Sequence, residues 1–466
     1  MDMARRLHIL WFACLASTAL APGPARSEGL SPGATLAIEA MLECERPAGG
    51  WMYVCPPHSG SHGVTKVVNL GARLANALNF EPWEVVVLRS PGTPAAGLFL
   101  LEAWEISGEP RYLEAARRSG DLIVELQLPS GGWFSEMPVR GSELAAWFRW
   151  YAPWATLDDD VTTGATRLLL RLFEVTGDEL YRRSAIRALD LLLEAQLPSG
   201  AWPLTHRPTW IRAVSPSFED LPSLNDGATA SVIETLILGA EVLDRPDLLA
   251  AAVRGGDWLV ANRFPSPMPG WAQQYDEAGR PVPGRRFEPV ALATWESRHA
   301  LDALLALERA VGDGRYCEAA QEGLDWLEDA ALSPGCWPRF LSLDEGTPIY
   351  LDFDGRPVDN PTQAKRPYRW TGDYGIPDLL VRAGRHFPQE MVTPRIPGDA
   401  GSCPGTPRRI RSRIESRNPR ARIGASGTRL AAQRPATGDP CAADEQTARA
   451  DPSPPSPSRP GNTTHP

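Results

Sequence analysis

The chain has 466 residues, of which 43% are hydrophobic and 22% are charged. These values are ordinary for a soluble globular protein, and they exclude a wholly disordered chain and a polytopic membrane protein. The formal net charge is −10, and an acidic body argues against nucleic acid as the main partner because the phosphate backbone is itself negative.

The first residues have the pattern of a secretory signal peptide. Arg5 and Arg6 precede an apolar run from Leu7 to Ala21, and Ala25-Arg26-Ser27 supplies a small-x-small cleavage site. The apolar run is shorter than the ~20 residues that a transmembrane helix needs. We therefore expect residues 1–27 to be removed and the remaining chain to be secreted or periplasmic, without membrane contact; an uncleaved anchor is the alternative.

A segment of about 68 residues recurs four times in the body of the chain. Each copy carries an aspartate and, after a short loop, a tryptophan. The repeated residues are Asp121, Asp190, Asp257 and Asp325, and Trp133, Trp202, Trp271 and Trp337. Both registers repeat at spacings between 66 and 69 residues, which indicates an architecture built from repeats.

Each repeat contains two stretches with apolar residues at helical spacing, divided by a glycine-containing stop such as Thr176-Gly177-Asp178. The predicted helices span 93–106, 110–128, 161–175, 179–197, 227–243, 246–262, 293–310 and 314–331. One connection in each repeat is short and the other is long. This pattern predicts an all-α protein, an incomplete α/α toroid of four helical hairpins with the long loops at one end, rather than an open solenoid.

The composition changes near residue 392. Residues 393–466 hold twelve arginines, six acids and many prolines, and such a segment cannot bury a core. We predict a disordered tail there and a single folded domain over residues 28–392, which we expect to be a monomer.

Six cysteines remain after the predicted signal peptide. Cys44 and Cys55 flank a loop, and Cys317 and Cys336 lie in one repeat. In an oxidising compartment either pair could form a disulfide, and buried thiols are the alternative.

Acidic residues lie directly before two predicted helices, in the segments TLDDDVTT and SLNDGAT. One aspartate is enough to cap a helix, whereas adjacent carboxylates repel one another unless a cation or solvent screens them. Carboxylate and amide oxygens are the ligands that Ca²⁺ prefers. Asp158, Asp160 and Asp226 are therefore our predicted Ca²⁺ ligands, with Asn225 as a substrate-binding residue; helix capping is the alternative.

Aromatic rings at the loop-rich end can stack on sugar rings. Trp202 and Trp271 are predicted to bind substrate in this way. The alternative is that the repeated tryptophan is a structural plug that closes each hairpin, and its identical placement in every repeat favours this alternative.

Cationic residues also collect on the long connections. They are Arg285 and Arg286 in GRRFEP, Arg339 in WPRF, and Lys365, Arg366 and Arg369 in KRPYRWTGDYG. A guanidinium matches a carboxylate in a two-pronged hydrogen bond, so a polymer with a carboxylate on each sugar is the natural ligand. Arg286 and Arg369 are predicted to bind it, although pairing with acids of the same chain is equally open.

Several of these segments together resemble the pectate lyases of polysaccharide lyase family 10, the pectic acid lyases. Thr156–Thr162 is similar to the family's T-[IF]-D-N-x-A-T segment, Ser199–Pro203 to NGGWP, and Leu224–Ala228 to FNDGAM. The most specific part is Trp271–Glu296, which resembles the W-A-x-Q-Y/H-D segment and the following R-A-[FY]-E-P-P motif. The resemblance covers roughly residues 85–380.

One motif departs from the family. The family's D-R-D-G segment carries the arginine that is its proposed proton-abstracting base, and this chain has Asp352-Phe353-Asp354-Gly355 there, with Arg356 close by. The resemblance therefore implies Arg285, Arg339 and Arg356 as the candidate catalytic arginines, with activity impaired by the loss of the usual base.

The resemblance implies an exported α/α-toroid enzyme that cleaves pectate or polygalacturonate by Ca²⁺-assisted β-elimination. Two other functions fit the same residues. An inverting glycoside hydrolase would oppose Asp160 or Asp226 to Glu288 or Glu296 across the bond. A catalytically dead glycan-binding protein is the third possibility, and Phe353 motivates it.

Overall fold

The structure is a computed structural model, and it describes residues 30–46, 49–51, 84–140, 154–364 and 368–385. The predicted signal peptide, the predicted tail, Cys55, Lys365 and Arg366 lie outside the described residues. Within the described ranges, no helix combines enough length with enough apolar character to span a bilayer.

Helices dominate the fold, and most of them form consecutive antiparallel hairpins. In chain order the helices are α1 (Pro32–Glu43), α2 (Thr93–Ser107), α3 (Pro110–Leu126), α4 (Val161–Thr176), α5 (Glu179–Glu194), α6 (Thr209–Val214), α7 (Ala228–Leu243), α8 (Pro246–Ala261), α9 (Thr294–Val311), α10 (Arg315–Asp329) and α11 (Ile376–Arg382). The eight repeat helices predicted from the sequence are all present, with their ends within about three residues of the prediction.

The tight turn inside each hairpin depends on a residue in the left-handed region. Gly177 ends α4 with φ 69°, and its N–H donates to the carbonyl of Phe173 (2.8 Å). Glycine adopts this conformation without a steric penalty, which explains the stop signals. In the third hairpin Asp244 holds the same position with φ 54°.

The hairpins are arranged in two layers. The first helices pack side by side in the order α2, α4, α7, α9 and α11, and each second helix packs on the outside of its partner. The inner helices are buried over much of their surface; Leu168, Leu169, Leu170 and Leu172 of α4 are fully buried. The predicted all-α fold, an incomplete α/α toroid, is thereby confirmed.

The repeated tryptophans belong to the core. Each ring is fully buried, and its indole N–H donates to a carbonyl of the preceding outer helix at 2.7–2.9 Å. The four pairs are Trp133 with Ile123, Trp202 with Leu192, Trp271 with Leu259 and Trp337 with Leu327. The structure therefore corrects the prediction that Trp202 and Trp271 stack on sugars, because a fully enclosed ring has no face to offer a ligand.

The repeated aspartates join neighbouring hairpins along the outer layer. Each aspartate accepts a hydrogen bond from a residue of the next unit of the chain or forms an ion pair with it. The four pairs, which we call the aspartate clamps, are Tyr181 on Asp121 (2.7 Å), Arg245 on Asp190 (3.1 Å), Tyr316 on Asp257 (2.9 Å) and Arg385 on Asp325 (2.7 Å).

Short strands tie the long connections together at one end of the toroid. The strands are β1 (Glu84–Val87), β2 (Glu136–Arg140), β3 (Ala155–Thr156), β4 (Thr205–His206), β5 (Leu292–Ala293), β6 (Trp337–Pro338), β7 (Phe340–Leu341), β8 (Pro348–Ile349) and β9 (Thr371–Gly372). They pair antiparallel as β1 with β2, β3 with β4, β5 with β7, β7 with β8 and β6 with β9. Each pair joins two separate stretches of loop, so the loop-rich end is a connected platform.

The described cysteines do not remain as thiols. Cys44, Cys317 and Cys336 are each disulfide-bonded. Of the two alternatives left open by the sequence, disulfides rather than buried thiols therefore hold for these three cysteines.

Candidate functional site

Two short 3₁₀ turns place the acids of the loop-rich end. Asp158–Asp160 comes directly before α4, and Asn225–Gly227 comes directly before α7. Asp159, Asp160 and Asp226 have φ values of 54°, 58° and 46°, in a region where residues other than glycine pay a steric penalty. Asp160 makes no side-chain cap to its helix, so helix capping does not account for these acids.

The two turns bring three carboxylates together. Asp158, Asp159 and Asp226 each offer an oxygen atom, and these atoms lie within 4.8 Å of one another. We call these three residues the acidic triad. The side-chain amide of Asn225 donates to Asp158 Oδ1 (3.3 Å) and to Asp226 Oδ2 (3.0 Å), so it bridges the two turns.

Two acids of the triad, Asp158 and Asp159, have raised pKa values. Burial, together with the charges of Asp226 and Asp159, raises the pKa of Asp158 well above its usual range. Burial and the charge of Asp226 raise the pKa of Asp159 to about 6. Like charges at this separation oppose each other, and a cation placed among them would relieve the repulsion.

Asp160 lies outside this group, contrary to its predicted role as a metal ligand. Its Oδ1 pairs with the guanidinium of Arg167 (2.8 Å) and accepts hydrogen bonds from the hydroxyls of Thr163 (3.1 Å) and Ser231. Although burial favours the neutral form, Arg167 and Ser231 hold the pKa of Asp160 at about 2. Asp160 is thus a charged anchor between α4 and α7, and Asp159 takes its place in the triad.

Arg285 lies at the edge of the acidic triad with 37% of its side chain exposed. Its Nη1 donates to Glu288 Oε1 (2.7 Å), and its Nη2 is 3.9 Å from Asp158 Oδ2. Although burial opposes the charge, Glu288 and Tyr368 raise the pKa of Arg285 above its ordinary value. Arg285 therefore stays cationic and presents a partly free guanidinium beside the acids.

Arg339 lies beneath the site and is fully buried. Its Nη2 donates to Glu296 Oε1 (2.5 Å) and is 3.5 Å from Asp226 Oδ1. The rings of Trp295 and Tyr368 lie 4.4 Å and 4.5 Å from its guanidinium carbon. This enclosure gives Arg339 the geometry of a residue that positions Asp226.

Glu296 shares the pocket of Arg339 and is also fully buried. Burial raises the pKa of Glu296 to about 7, although the Arg339 guanidinium opposes this shift. Its second carboxylate oxygen is buried without a hydrogen-bond partner.

The remaining predicted arginines lie on the outer rim. Arg356 is 76% exposed and stands 3.6 Å from Asp354, which is also 3.7 Å from Arg286. Arg369 is exposed, and its backbone carbonyl accepts a hydrogen bond from Tyr374 (2.7 Å). The structure brings neither Arg286 nor Arg356 into contact with the acidic triad.

Phe353 stands on the same rim with 55% of its surface exposed. Its ring packs on Phe287 (5.7 Å between centroids), which in turn packs on Tyr368 (5.5 Å). Phe353 is therefore separated from Arg339 by two aromatic rings, at the loop-rich end and outside the helical core.

Three polar residues of the site were not singled out by their types in the sequence. Tyr368 donates to Glu288, and the side-chain amide of Gln273 donates to Asn225 and lies 3.4 Å from the Tyr368 hydroxyl. Asp159 is the third, and the motif DDD contained it. All three residues lie in segments that the sequence analysis had already picked out: Gln273 in WAQQYD, Tyr368 in KRPYRW and Asp159 in TLDDDV. Their position in these segments was the one signal that could have identified them.

The family model described as pectic acid lyase matches residues 151–333. This match confirms the resemblance over a span that contains the acidic triad and Arg285, and it supports an enzyme that acts on polysaccharide. No curated protein matches the chain in sequence.

Several solved structures are similar to this chain at low identity. The family 10 polysaccharide lyase from Cellvibrio cellulosa is 20% identical, with a TM-score of 0.47, and the match covers 57% of this chain and 91% of that one. A mutant of that lyase in complex with trigalacturonic acid is 19% identical, with a TM-score of 0.48 and the same coverage. The cellobiose 2-epimerase from Spirochaeta thermophila is 15% identical, with a TM-score of 0.42, and covers 55% of this chain and 62% of its own.

Proposed function

We propose that the protein is an exported lyase that cleaves polygalacturonate or a similar polyuronate by β-elimination, with Ca²⁺ held at the acidic triad. The observation that carries this proposal is the meeting of three carboxylates with the partly exposed guanidinium of Arg285. An anionic sugar needs both kinds of group: a cation to bind through the acids, and an arginine to hold its carboxylate.

The triad has the donor set of a calcium site. Asp158, Asp159 and Asp226 offer hard oxygen ligands within 4.8 Å of one another, and burial together with the charge of Asp226 raises the pKa values of Asp158 and Asp159. Bound Ca²⁺ would neutralise the substrate carboxylate and make the neighbouring carbon-bound proton more acidic.

The chain's own residues would orient the sugar. Arg285 can turn its free face to a uronate carboxylate while Glu288 and Asp158 fix its position. In the elimination, a base removes the proton from carbon 5, the electron pair forms the double bond between carbons 4 and 5, and the glycosidic oxygen leaves and gains a proton. Neutralising the carboxylate stabilises the charge that develops in this transition state.

Among the residues that the structure describes, the site lacks one well suited to act as the proton-abstracting base. Phe353 stands where the family motif has its arginine, Arg339 is fully enclosed, and Arg356 is on the rim. Arg285 is the candidate arginine beside the triad, but its raised pKa makes it a poor proton acceptor. We therefore propose slow turnover, with Arg285 serving mainly to bind the substrate carboxylate.

The test is an assay of the secreted protein on polygalacturonate with added Ca²⁺ or with a chelator. Elimination gives a 4,5-unsaturated uronide that absorbs in the ultraviolet, and we expect this product with Ca²⁺ and its loss with chelator. The matched control is Asp226→Asn, which we expect to abolish the Ca²⁺ dependence. Absence of unsaturated product at every pH and Ca²⁺ concentration would refute the lyase proposal.

The two alternatives give different products. Hydrolysis would release reducing ends without any unsaturated uronide, but the full burial of Glu296 and the near-complete burial of Glu288 disfavour either as an acid that touches the sugar. A glycan-binding protein would bind polygalacturonate in a Ca²⁺-dependent way and release no product at all.

A further inference from the structure

One stretch of loop starts and ends at the candidate site. It comprises residues 205–217 and we call it the strap. At its start, β4 pairs with β3, and Leu204 accepts a hydrogen bond from the backbone N–H of Asp158 (3.1 Å). At its end, the carbonyl of Phe218 accepts from Gln274 (2.8 Å), and the ring of Phe218 lies 5.9 Å from the guanidinium carbon of Arg285. The strap therefore borders both the acidic triad and Arg285.

The strap is held in one shape by a single buried acid. Asp220 receives two hydrogen bonds from the Arg207 guanidinium, one of them at 2.8 Å, and Arg207 also donates to the carbonyl of Ser215 (3.0 Å). Ser217 and Asp220 form a reciprocal cap at the strap's end. A preformed loop of this kind loses little conformational entropy when a ligand binds.

The outer face of the strap is apolar and aromatic. It carries the short helix α6, in which Trp210 is 66% exposed and Val214 is exposed as well. Among the tryptophans within the described residues, Trp210 is the one with a largely exposed ring. A large exposed ring at the border of a cleft is a common mark of a binding surface.

The arginines of the strap favour a negatively charged ligand. Residues 205–217 contain two arginines and no acid, in a chain whose net charge is −10. Arg207 is bound by Asp220 through two hydrogen bonds, whereas Arg212 stands 4.0 Å from that acid and is partly exposed. Arg212 therefore offers a partly exposed positive charge on the same short helix as the exposed indole.

We infer that the strap is an additional subsite for the acidic polysaccharide, in which Trp210 stacks on a sugar ring beyond the cleaved bond and Arg212 faces its carboxylate. This inference rests on the proposed function and adds a length requirement to it. The proposed subsite lies beyond the sugars that a trimer fills at the acidic triad, so that a polymer contacts both places and a trimer contacts the triad alone. Trp210 is a specificity residue here and takes no part in the elimination.

The experiment compares Trp210→Ala, Trp210→Phe and the control Leu180→Ala on polygalacturonate and on trigalacturonate, at saturating Ca²⁺. Leu180 is an exposed apolar residue at the start of α5, at the end of the toroid with the short turns. We expect Trp210→Ala to raise the KM for the polymer about tenfold, equivalent to about 1.4 kcal/mol, with kcat and the trimer kinetics unchanged. Trp210→Phe should recover most of the loss, because it restores an aromatic face, and Leu180→Ala should behave as wild type.

The outcomes separate the two claims. Polymer kinetics of Trp210→Ala equal to wild type, or an equal loss on polymer and trimer, would overturn the subsite and leave the lyase proposal standing. A wild-type protein that neither binds nor cleaves polygalacturonate would overturn both. The change in tryptophan fluorescence on rapid mixing with polymer and Ca²⁺ is the second readout: wild type should respond, and Trp210→Phe and Trp210→Ala, which both lack this indole, should respond less.

Discussion

Electrostatic repulsion among Asp158, Asp159 and Asp226 is the dominant feature at the scale of single residues. All three carboxylates gather at the starts of two helices, and Asp159 and Asp226 do so from left-handed backbone conformations. Crowded buried carboxylates and left-handed backbone at residues other than glycine both cost free energy. In the function proposed above, a bound cation would offset part of this cost.

The raised pKa of Asp159 predicts how metal-free stability changes with pH. Its folded pKa is about 6, above the unfolded value near 4, so the folded state binds the extra proton between these values. The contribution of Asp159 to stability is therefore fully present below about pH 4 and is lost as pH rises through about 6. We expect Asp159→Asn to be more stable than wild type in chelator, by a margin that grows from pH 4 to pH 7, as measured by calorimetric Tm.

Calcium should reverse this difference. At pH 7 Asp159, with its pKa of about 6, is mostly ionised, so Ca²⁺ should raise the Tm of the wild type, and the rise should shrink as pH falls below about 6 because protons compete with the metal for this ligand. Asp159→Asn should show little rise at any pH. Equal Ca²⁺ shifts in both proteins would remove Asp159 from the metal site.

Phe353→Arg should increase the rate of unsaturated-product formation. Phe353 is exposed on the rim near Phe287, so a longer cationic side chain can be placed there without disturbing the core. General-base groups contribute about 10²–10⁴-fold, and we expect at least about a tenfold gain, since a new arginine is not fully oriented. The measurement is kcat on polygalacturonate with Ca²⁺.

Phe353→Lys and Phe353→Leu are the controls for that substitution. Leucine should leave the rate unchanged. Lysine should give a smaller gain than arginine, because its ammonium group binds a uronate carboxylate without the planar fork and so holds the sugar less firmly beside the new base. A fully active wild type that Phe353→Arg leaves unchanged or impairs would mean that another residue is the base.

Residue types and spacing were sufficient to bring most of the site together. The starts of the inner helices and the long connections share one end of the toroid. This brings together five of the predicted residues: Asp158, Asn225, Asp226, Arg285 and Arg339. The sequence could not decide between Asp159 and Asp160. Both residues have positive φ, so the direction of each side chain depends on a turn that the motif DDD does not specify.

At the scale of elements, the hairpins followed from local signals. Helical spacing of apolar residues and glycine at the helix ends are properties of a few neighbouring residues, so they can be recognised without knowledge of the tertiary fold. The two-residue strands of the platform have no such signal, because two residues cannot show a period. Their pairing depends on how the long connections meet.

Trp202→Phe should destabilise the protein without changing the KM for polygalacturonate. The substitution removes the hydrogen bond to Leu192 and leaves a small cavity in a fully enclosed site, which costs about 1–3 kcal/mol. Urea denaturation measures the loss. A rise in KM with unchanged stability would instead restore Trp202 to the substrate site.

At the scale of the whole molecule, each repeat is bonded mainly to the repeats beside it. The aspartate clamps join neighbouring hairpins on the outer layer, and the inner helices contact the next inner helix in the chain. The repeat length and the alternation of short and long connections were enough to predict this arrangement. The bonding partners of the repeated aspartates were not predictable, because they lie nearly one full repeat away.

Tyr181→Phe and Tyr316→Phe each remove the phenol's hydrogen bond to an aspartate of the outer layer. Asp257 keeps its ion pair with Arg315 (2.9 Å), which itself loses a hydrogen bond to the Tyr316 hydroxyl. Each phenol donates to the aspartate of the preceding repeat at 2.7 Å and 2.9 Å, and loss of one such bond costs about 1 kcal/mol. Because the two clamps are well separated, the double variant should lose the sum of the two values. Urea titrations of the four proteins form the test, and a strongly non-additive loss would indicate coupling between distant repeats.

The neighbour-only bonding of the aspartate clamps has a consequence for how the chain comes apart. A structure whose units are bonded mainly to the next unit can open from either end before its centre breaks. The acidic triad is built from the second and third hairpins, so it lies in the interior of this series. Partial opening of the first or the last hairpin should leave a calcium-binding core, and amide hydrogen exchange should show protection that is highest in α4 and α7 and falls toward both ends.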